Sequence, residues 1–323
     1  MSRPRIAYVA GDPNGIGPEL SAKLLARRHN VEAAEVIVFS DPAIIASGER
    51  VAGVKALVGR ANDGATLRTL NLAGESAITP GVATEAGGRA ALAALESATA
   101  AARSGEVQAI VFAPLNKHAL RLAGMHHEDE LRLMQDRFGV DAFVTEFNIT
   151  GKLWTSRVTS HVPLREVADA LTIDGVVQAV EIVDRYLKAA GREEPRIAVT
   201  GLNPHAGDGG SIGREEIDVI MPAIEQAQTL GINAVGPMSP DTVFVAARRG
   251  DFDAVVTMYH DQGQIAMKLM GFDNGVTLHG GLPVPVATCA SGTAFDIVGR
   301  NVANVEGLQQ AFEIAVAIAS RAR

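Results

Sequence analysis

The segment RIAYVAGDPNGIGPEL, residues 5–20, contains the two kinds of element from which the rest of the chain is built. Its first part, Arg5–Ala10, is a short apolar run typical of a buried strand, and glycine, asparagine and proline follow at once. Pro18 suits the first turn of a helix, where a backbone N–H would have no partner. The segment therefore predicts a strand, a tight turn and a helix in direct succession.

Short apolar runs and helical patterns alternate through the remaining sequence, which is typical of an α/β fold in which helices cover a mostly parallel sheet. The predicted strands are Arg5–Ala10, Val36–Phe39, Ala109–Ala113, Arg157–Thr159, Arg196–Thr200 and Ala254–Met258. The predicted helices are Pro18–Arg28, Thr84–Ser104, Leu164–Leu171, Gly175–Ala190, Arg214–Leu230 and Val305–Arg321. At roughly 150 residues per domain, 323 residues indicate about two domains.

Composition argues against several classes of protein. The 29 Lys+Arg and 37 Asp+Glu residues give a net charge of −8, which disfavours a general nucleic-acid binder. Cys289 is the only cysteine, so an internal disulfide and a thiolate metal cluster are excluded, and a reducing cytoplasm fits. The sequence has neither an apolar run of about 18 residues nor the apolar core of a signal peptide. We therefore expect a cytoplasmic protein without a membrane partner.

Three of the eight histidines follow predicted strands. His161 comes after LWTSRVTS, His205 after RIAVTGLNP and His260 after AVVTMY. Ligands of open α/β sheets bind at the carboxyl ends of the strands. Three imidazoles that converge there could hold one divalent metal and leave positions open for substrate oxygens. The alternative for each histidine is a local hydrogen bond within a turn.

Two further polar residues follow His260 in YHDQGQIAMK, residues 259–268. Asp261 could orient a metal-bound histidine, and its alternative is a turn aspartate. Lys268 could bind an anionic substrate or transfer a proton, and its alternative is a solvated surface lysine.

The glycine-rich segments indicate ligand contacts without identifying a ligand. GDPNGIGPEL has neither the G-x-G-x-x-G spacing of a dinucleotide fingerprint nor the G-K-[ST] of a phosphate loop. Its free amides could meet an anion, and a plain tight turn is equally consistent. NPHAGDGGSIGREE, residues 203–216, allows close backbone approach to a ligand. In SGTAFDIVGRNVAN, residues 291–304, Asp296 either accepts hydrogen bonds from a ribose diol or belongs to a turn.

Seven segments in order resemble one enzyme family, the 4-hydroxythreonine-4-phosphate dehydrogenases of pyridoxal phosphate biosynthesis and their catabolic relatives. Each segment alone is weak, and their order over essentially the whole chain makes the resemblance specific. They are GDPNGIGPE, APLNK, SHVPLREVADALT, GLNPHAGDGG, SPDTVF, YHDQG with its following lysine, and GTAFDIVGR.

The resemblance implies two α/β domains around a central cleft, in a fold of the isocitrate/isopropylmalate dehydrogenase type. We place the first domain, with the cofactor loop, at residues 1–125 and 275–323. The second, at residues 126–274, would contain the metal ligands and the dimer contacts. The family forms a homodimer in which one metal ligand crosses the interface.

The resemblance also implies the functional residues. His161, His205 and His260 would bind a divalent metal (Zn, Mg, Mn or Co), and Lys268 would contact a small hydroxy-acid substrate. GTAFDI resembles the adenosine-binding loop of isopropylmalate dehydrogenases, with Asp296 facing the ribose. Because a carboxylate repels a 2′-phosphate, NAD is expected over NADP. The expected cofactor-binding residues are Gly292, Thr293, Asp296 and Ile297.

The family reaction oxidises a secondary alcohol β to a carboxylate, and the β-keto acid then loses CO₂. A divalent metal suits both steps because it is a Lewis acid. This sequence departs from the family mainly at the substrate. Glu128 and Asp129 stand where biosynthetic members have a substrate-binding His and Thr. The other departures are Thr277 for Asn, Val286 for Arg and Ser291 for His.

These departures disfavour a phosphate dianion, because arginine is the stronger phosphate ligand and carboxylates repel it. His126, His127 and His279 are candidates for replacement contacts. Besides 4-hydroxythreonine 4-phosphate, a dihydrodiol carboxylate of aromatic-acid catabolism and a sugar-acid phosphate are alternative substrates. A metal-dependent lyase or hydrolase that has lost the cofactor is the alternative of a different class, and the intact GTAFDIVGR argues against it. A non-enzymatic ligand-binding protein is weaker still, because the three histidines and Lys268 remain in their motifs.

Overall fold

The structure is a computed structural model that describes residues 3–59, 64–70, 78–271 and 274–322. The chain divides into two compact units. The first comprises Met1–Ala142 and Leu282–Arg323, and the second comprises Phe143–Gly281. In the part of the chain that is described, no helix has the length and apolar character needed to cross a membrane.

The first unit alternates strands and helices. Its strands are β1 (Arg5–Val9), β2 (Glu35–Ser40), β3 (Thr66–Thr69), β4 (Ala109–Phe112) and β11 (Val286–Cys289). Its helices are α1 (Gly17–Leu25), α2 (Arg28–Ala33), α3 (Pro42–Ala52), α4 (Glu85–Arg103), α5 (Lys117–Leu122), α6 (Glu130–Phe138) and α12 (Glu306–Arg321).

The strands of the first unit are parallel and follow the order β3-β2-β1-β4-β11. β4 and most of β1 are fully buried, because helices cover both faces of a parallel sheet. Helix α4 begins where the hydroxyl of Thr84 accepts a hydrogen bond from the Gly87 N–H at 3.0 Å. Alanines and glycines on α4 allow close packing, since a Cβ on Gly88 would lie 2.0 Å from the carbonyl oxygen of Ala119.

The second unit contains antiparallel and parallel strands. Its strands are β5 (Thr145–Thr150), β6 (Leu153–Arg157), β7 (Ile197–Thr200), β8 (Ala234–Met238), β9 (Ala254–Thr257) and β10 (Val276–Gly280). Its α-helices are α7 (Val167–Ala170), α8 (Ile173–Ala189), α9 (Met221–Thr229), α10 (Val243–Arg249) and α11 (His260–Gly271). Among the described residues, the 3-10 segment Leu164–Glu166, the left-handed segment Pro204–Gly210 and the π-helical turn Glu216–Ile220 complete the second unit.

The strand order in the second unit is β10-β5-β6-β9-β7-β8. β10, β5 and β6 pair antiparallel, whereas β6, β9, β7 and β8 pair parallel. The carboxyl ends of the last four strands therefore share one edge of the sheet. The predicted α/β class with a mostly parallel sheet is confirmed.

β1, β2, β4, β7 and β9 lie at or within two residues of their predicted positions. The strand predicted at Arg157–Thr159 was wrong in position: β6 is Leu153–Arg157, all buried, and its residues Trp154–Arg157 are in register with Ala254–Thr257 of β9. The helix predicted at Arg214–Leu230 begins instead with the π-helical turn Glu216–Ile220 and continues as α9.

Two stretches fall in the opposite unit from their sequence-based assignment. Residues 126–142 cluster with the first unit, where Arg137 in the last turn of α6 forms a 2.9 Å ion pair with Glu96 of α4. Residues 275–281 cluster with the second unit, because β10 pairs with β5 along its whole length. The first unit retains the loop with Asp296, and the second contains the three candidate metal ligands.

Candidate functional site

Three histidines follow three neighbouring parallel strands of the second unit. His161 lies four residues beyond β6, His260 three residues beyond β9, and His205 five residues beyond β7. Because β9 pairs with β6 on one side and β7 on the other, the three loops leave the sheet side by side. This is the edge at which open α/β sheets bind ligands.

Side-chain and backbone contacts hold these strand ends together. The Gln262 carboxamide oxygen accepts hydrogen bonds from the Met258 N–H at 2.7 Å and the Thr200 hydroxyl at 2.9 Å. Its amide nitrogen donates to the Gly201 carbonyl at 2.9 Å. On the other side, the Thr159 N–H and hydroxyl both donate to the Met258 carbonyl. The amide in YHDQG therefore fixes the exits of β7 and β9, a role that the sequence did not reveal.

His161 and His260 lie next to each other. Their ring centroids are 5.8 Å apart and the rings are tilted by 47°. Two imidazoles bound to one metal through nitrogens at about 2.1 Å have centroids roughly 5–6 Å apart. The spacing of this pair therefore fits two ligands of one divalent cation.

Asp261 determines which nitrogen of His260 is free. His260 Nδ1 and Asp261 Oδ1 are 2.7 Å apart. Because an ionised carboxylate only accepts hydrogen bonds, Nδ1 carries the proton in this pair and the Nε2 lone pair remains for a ligand. A carboxylate behind a histidine is the usual outer contact of a metal-bound imidazole.

His205 lies in an unusual backbone segment. Residues 205–209 all have left-handed angles, with φ of 55° at His205, 54° at Ala206 and 45° at Asp208. Left-handed backbone costs an L-residue roughly 1–2 kcal/mol, so these three store on the order of 3–6 kcal/mol. The Ser239 hydroxyl, which donates to Asp241 at 2.6 Å, holds the pKa of that carboxyl below its usual value, and the charge of His205 acts in the same direction. His205 therefore lies near the SPDTVF segment.

Lys268 and Thr277 lie further from the histidine pair along the chain. Lys268 is exposed on α11, two helical turns beyond His260. Thr277 lies in β10 opposite Asn148 of β5, and its side chain is half-buried. The substrate contacts of Lys268 and Thr277 remain predictions.

The expected cofactor loop belongs to the first unit and packs on the GDPNGIG turn. The Thr293 carbonyl accepts from the Ile16 N–H at 3.0 Å, and a Cβ on Gly15 would lie 2.8 Å from the Thr293 Cβ. Gly292 is exposed with open space beside it. Asp296 is exposed and makes no hydrogen bond or ion pair with the residues that the structure describes. An exposed carboxylate with unused acceptors suits a ribose diol.

Ile297 completes this loop, and its N–H donates to the Ala294 carbonyl at 3.1 Å. Ala294 itself has φ 43°, one of the few left-handed non-glycine residues in the described chain. The turn around Ala294 therefore sets the direction in which Asp296 leaves the backbone.

The acids that replace the substrate-binding His and Thr of the family have different environments. Asp129 is buried and caps α6, because its Oδ1 accepts from the Arg132 N–H at 2.9 Å. Glu128 is exposed. Capping gives Asp129 a structural role in addition to its predicted contact with the substrate.

Two of the other departures, Val286 and Ser291, and the candidate replacement contact His279 are buried or half-buried. Val286, where the family has arginine, is fully buried at the start of β11. His279 is 2% exposed, with its Nε2 3.8 Å from Glu146 Oε1. Ser291 donates to the Cys289 sulfur at 3.1 Å. None of these three side chains presents a free cation for phosphate.

Asp12 and Glu216 are buried acids beside these loops, and no sequence motif marks them as functional residues. Asp12 follows β1, is 1% exposed, and accepts the Asn14 N–H at 2.8 Å with Oδ1, while its buried Oδ2 has no partner among the described residues. Burial raises the pKa of Asp12 from 3.8 to about 6, although the Asn14 hydrogen bond opposes this. Both acids lie in glycine-rich segments, and this location is the one sequence signal that points to them.

Comparison with known proteins places the chain in a family. The model of the family described as pyridoxal phosphate biosynthetic protein PdxA matches residues 21–315. The chain belongs to this family.

Two relatives illustrate its range. A Pseudomonas aeruginosa protein provisionally named 4-hydroxythreonine-4-phosphate dehydrogenase 2 is 48% identical over 97% of this chain and 96% of its own length. A D-threonate 4-phosphate dehydrogenase of Pectobacterium atrosepticum is 36% identical over 97% of this chain and 99% of its own length. Both are named dehydrogenases, and the predicted enzyme class, an oxidoreductase acting on CH–OH, is confirmed for this PdxA-family chain.

Solved structures agree with this assignment. The 4-hydroxythreonine-4-phosphate dehydrogenase of Klebsiella pneumoniae is 34% identical, with a TM-score of 0.81 over 98% of this chain and 99% of that one. A terephthalate 1,2-cis-dihydrodiol dehydrogenase of Burkholderia xenovorans is 28% identical, with a TM-score of 0.71 over 98% of each chain. A β-decarboxylating dehydrogenase of Thermococcus kodakarensis, 13% identical with a TM-score of 0.51 over 97% of this chain and 82% of that one, shares the fold alone.

Proposed function

We propose that this PdxA-family enzyme is a divalent-metal- and NAD-dependent dehydrogenase that oxidises the secondary alcohol β to the carboxylate of a small hydroxy acid. The resulting β-keto acid then loses CO₂. The observation that supports the proposal most directly is the set of three histidines after β6, β9 and β7, two of which have ring centroids 5.8 Å apart.

His161, His205 and His260 would hold the metal, as zinc, magnesium, manganese or cobalt. A bound divalent cation supplies Lewis acidity at the substrate oxygen, which favours loss of the hydroxyl proton and later stabilises the charge left by decarboxylation. Asp261 would keep the proton of His260 on Nδ1, which leaves the Nε2 lone pair for the metal. Three imidazoles leave coordination positions open for substrate oxygens.

Asp296 supports the choice of NAD. Its exposed carboxylate has unused acceptors for the two ribose hydroxyls, and it would repel the 2′-phosphate of NADP. Gly292, Thr293 and Ile297 would line the same loop around the adenosine. NAD bound in this loop would supply the acceptor for the hydride that leaves the substrate carbon.

A four-carbon hydroxy acid 4-phosphate is the first substrate candidate, because relatives at 48% and 36% identity are named for 4-hydroxythreonine 4-phosphate and D-threonate 4-phosphate. Lys268, exposed on α11, would supply the positive charge for an anionic group. A dihydrodiol carboxylate is the second candidate. Val286 favours it, because this buried valine stands where the family has a phosphate-binding arginine.

A homodimer is part of the proposal. Leu164, Ile265 and Leu269 of the second unit are 71%, 61% and 84% exposed. Ile265 and Leu269 are four residues apart and lie on one face of α11, beyond the end that carries His260. Burial of these side chains against a second copy would place the shared surface beside the metal ligands. The buried single cysteine fits a cytoplasmic setting.

Formation of reduced cofactor, followed by absorbance, tests the reaction. Purified protein would be assayed with D-threonate 4-phosphate, 4-hydroxythreonine 4-phosphate and a dihydrodiol carboxylate, each with NAD or NADP and with magnesium, manganese, zinc or cobalt. We expect metal-dependent NADH formation with one of the phosphorylated acids. The absence of reduced cofactor under every condition would overturn the dehydrogenase assignment.

Metal content tests the ligand set separately. His161→Ala, His205→Ala and His260→Ala should each lower bound metal, measured by elemental analysis after dialysis. His29→Ala is the matched control, because His29 is an exposed histidine of the first unit. Wild-type metal content in His205→Ala would remove His205 from the set.

A further inference from the structure

The loop that presents His205 is a short left-handed turn. Residues 205–209 have φ between 45° and 79°, and Gly210 continues with φ 95°. Elsewhere in the described chain, left-handed non-glycine residues occur singly, at Ala294 and Asn301. A consecutive run persists only where the surroundings over-determine it, and such runs cluster at functional sites.

Glu216 lies directly behind this turn. It is 2% exposed, and its Oε1 accepts hydrogen bonds from the backbone N–H groups of Leu202 and Asn203, each at 2.7 Å. Its Oε2 accepts from the Asn203 side-chain amide at 3.0 Å. The carboxylate therefore holds the two residues between the end of β7 and the left-handed turn.

The same carboxylate also contacts the inside of the turn. A Cβ on Gly207 would lie 2.5 Å from Glu216 Oε2, and a Cβ on Gly201 would lie 2.9 Å from Oε1. Glycines at both positions thus let the backbone close around the carboxylate. Glu216 touches the chain both before and after His205.

The backbone that carries Glu216 is itself irregular. Glu216 begins the π-helical turn Glu216–Ile220, in which one extra residue per turn changes the direction of the side chains. Ile220 is fully buried at the other end of this turn. Such turns occur frequently at functional sites, and here the turn aims a buried acid at the loop.

We propose that Glu216 is the positioning residue of the metal site: its carboxylate fixes the turn at 202–207 so that His205 is presented to the metal before the metal binds. This inference rests on the proposed function, in which His205 is a ligand. The glutamate itself does not touch the metal or the substrate. Its effect is to remove the ordering that the loop would otherwise undergo on binding.

Glu216→Gln tests the proposal with little change in size. The amide of glutamine brings a donor towards the Asn203 side chain, which already donates to Glu216 and to Glu215 at 2.7 Å. We expect metal affinity, measured by calorimetric titration of Mn²⁺ into metal-free protein, to fall about 10- to 100-fold, the usual effect of losing an outer contact. Excess Mn²⁺ should restore kcat, and the KM for the hydroxy acid should stay unchanged.

Asp218→Asn is the matched control. Asp218 is an exposed acid in the same π-helical turn and pairs with Arg214 at 2.8 Å. This variant should bind Mn²⁺ as the wild type does. If Glu216→Gln binds Mn²⁺ with wild-type affinity while only its unfolding temperature falls, Glu216 is a structural residue and the inference is wrong. If metal binding in the wild type does not depend on His205, the proposed metal site fails instead.

Hydrogen exchange gives a second test that needs no variant. In metal-free wild-type protein, the amides of Leu202 and Asn203 should already be protected, because Glu216 accepts both. Addition of Mn²⁺ should increase their protection less than twofold. Protection that appears only with metal would mean that the metal, rather than Glu216, orders the turn.

Discussion

Asp12→Asn should change how the stability of this protein depends on pH. In the structure, the Asp12 carboxylate follows β1 and is 1% exposed. One oxygen accepts the Asn14 N–H at 2.8 Å, and the other is buried without a partner among the described residues. A carboxylate with so little hydration and no cation is costly to ionise.

The magnitude follows from the pKa of Asp12, which burial raises from 3.8 to about 6. The folded chain then holds this proton more tightly than the unfolded chain, so the free energy of unfolding falls as the pH rises through this range. The difference, 6 − 3.8 ≈ 2.2, corresponds to roughly 3 kcal/mol at 1.36 kcal/mol per pKa unit. Roughly 2 kcal/mol of this is lost between about pH 4 and pH 7.

The variant removes this titration but keeps the local geometry. The side-chain oxygen of the introduced asparagine can still accept the Asn14 N–H, and its amide nitrogen takes the place of the unpartnered oxygen. Burying that nitrogen without an acceptor costs about 1–3 kcal/mol at every pH, which shifts the curve without changing its slope. The free energy of unfolding of Asp12→Asn minus that of the wild type should therefore rise by roughly 2 kcal/mol between about pH 4 and pH 7.

Urea unfolding followed by far-ultraviolet circular dichroism at a series of pH values measures this difference. Tryptophan fluorescence is unsuitable, because the single tryptophan, Trp154, belongs to the second unit. Asp141→Asn is the control, since Asp141 is exposed and makes no hydrogen bond with the described residues. Curves for Asp12→Asn and wild type that stay parallel would refute the reasoning and show that the carboxylate is hydrated.

Four further substitutions, one of them a control, have expected outcomes. Leu269→Glu, at an 84% exposed position, should lower the mass measured by light scattering from dimer to monomer. Gly48→Ala should lower the urea unfolding free energy by about 3 kcal/mol, because its Cβ would lie 1.9 Å from the Pro18 carbonyl, whereas Gly292→Ala, with open space, should not. Asp296→Ala should weaken NAD binding about 10-fold or more in calorimetric titrations, through loss of charged hydrogen bonds, and should not weaken NADP binding. Unaltered mass, stability or NAD affinity would contradict the respective prediction.

The parallel core could be predicted from sequence because its physical pattern is local. β4 and β9 are continuous apolar runs, as expected for strands covered on both faces. The antiparallel strands were harder to predict from the sequence. β5 alternates buried and half-buried residues, but its partner β10 lies far along the chain, at Val276–Gly280, so no local pattern shows the pairing.

The candidate site was predictable in its residue types and in its place at the sheet edge. His161 and His260 follow adjacent strands as expected, and their 5.8 Å separation required the structure. The contacts that support them were not predictable. Gln262 joins the exits of β7 and β9 through three hydrogen bonds to residues up to 62 positions away. A side-chain amide within a turn motif gives no indication of such a partner.

Asp12 of the first unit and Glu216 of the second explain why local rules fail in the glycine-rich loops. Both acids are nearly inaccessible, and both lie in glycine-rich segments next to strand ends. Glu216 has three N–H donors and is therefore fixed in one arrangement, whereas Asp12 has one donor and one unpartnered oxygen. The hydrogen bonds of Glu216 stabilise a strained backbone. The unpartnered oxygen of Asp12 leaves the desolvation cost of its carboxylate without compensation. Departures from local preference persist where function requires them, so the residues that sequence rules miss are concentrated where ligands are expected to bind.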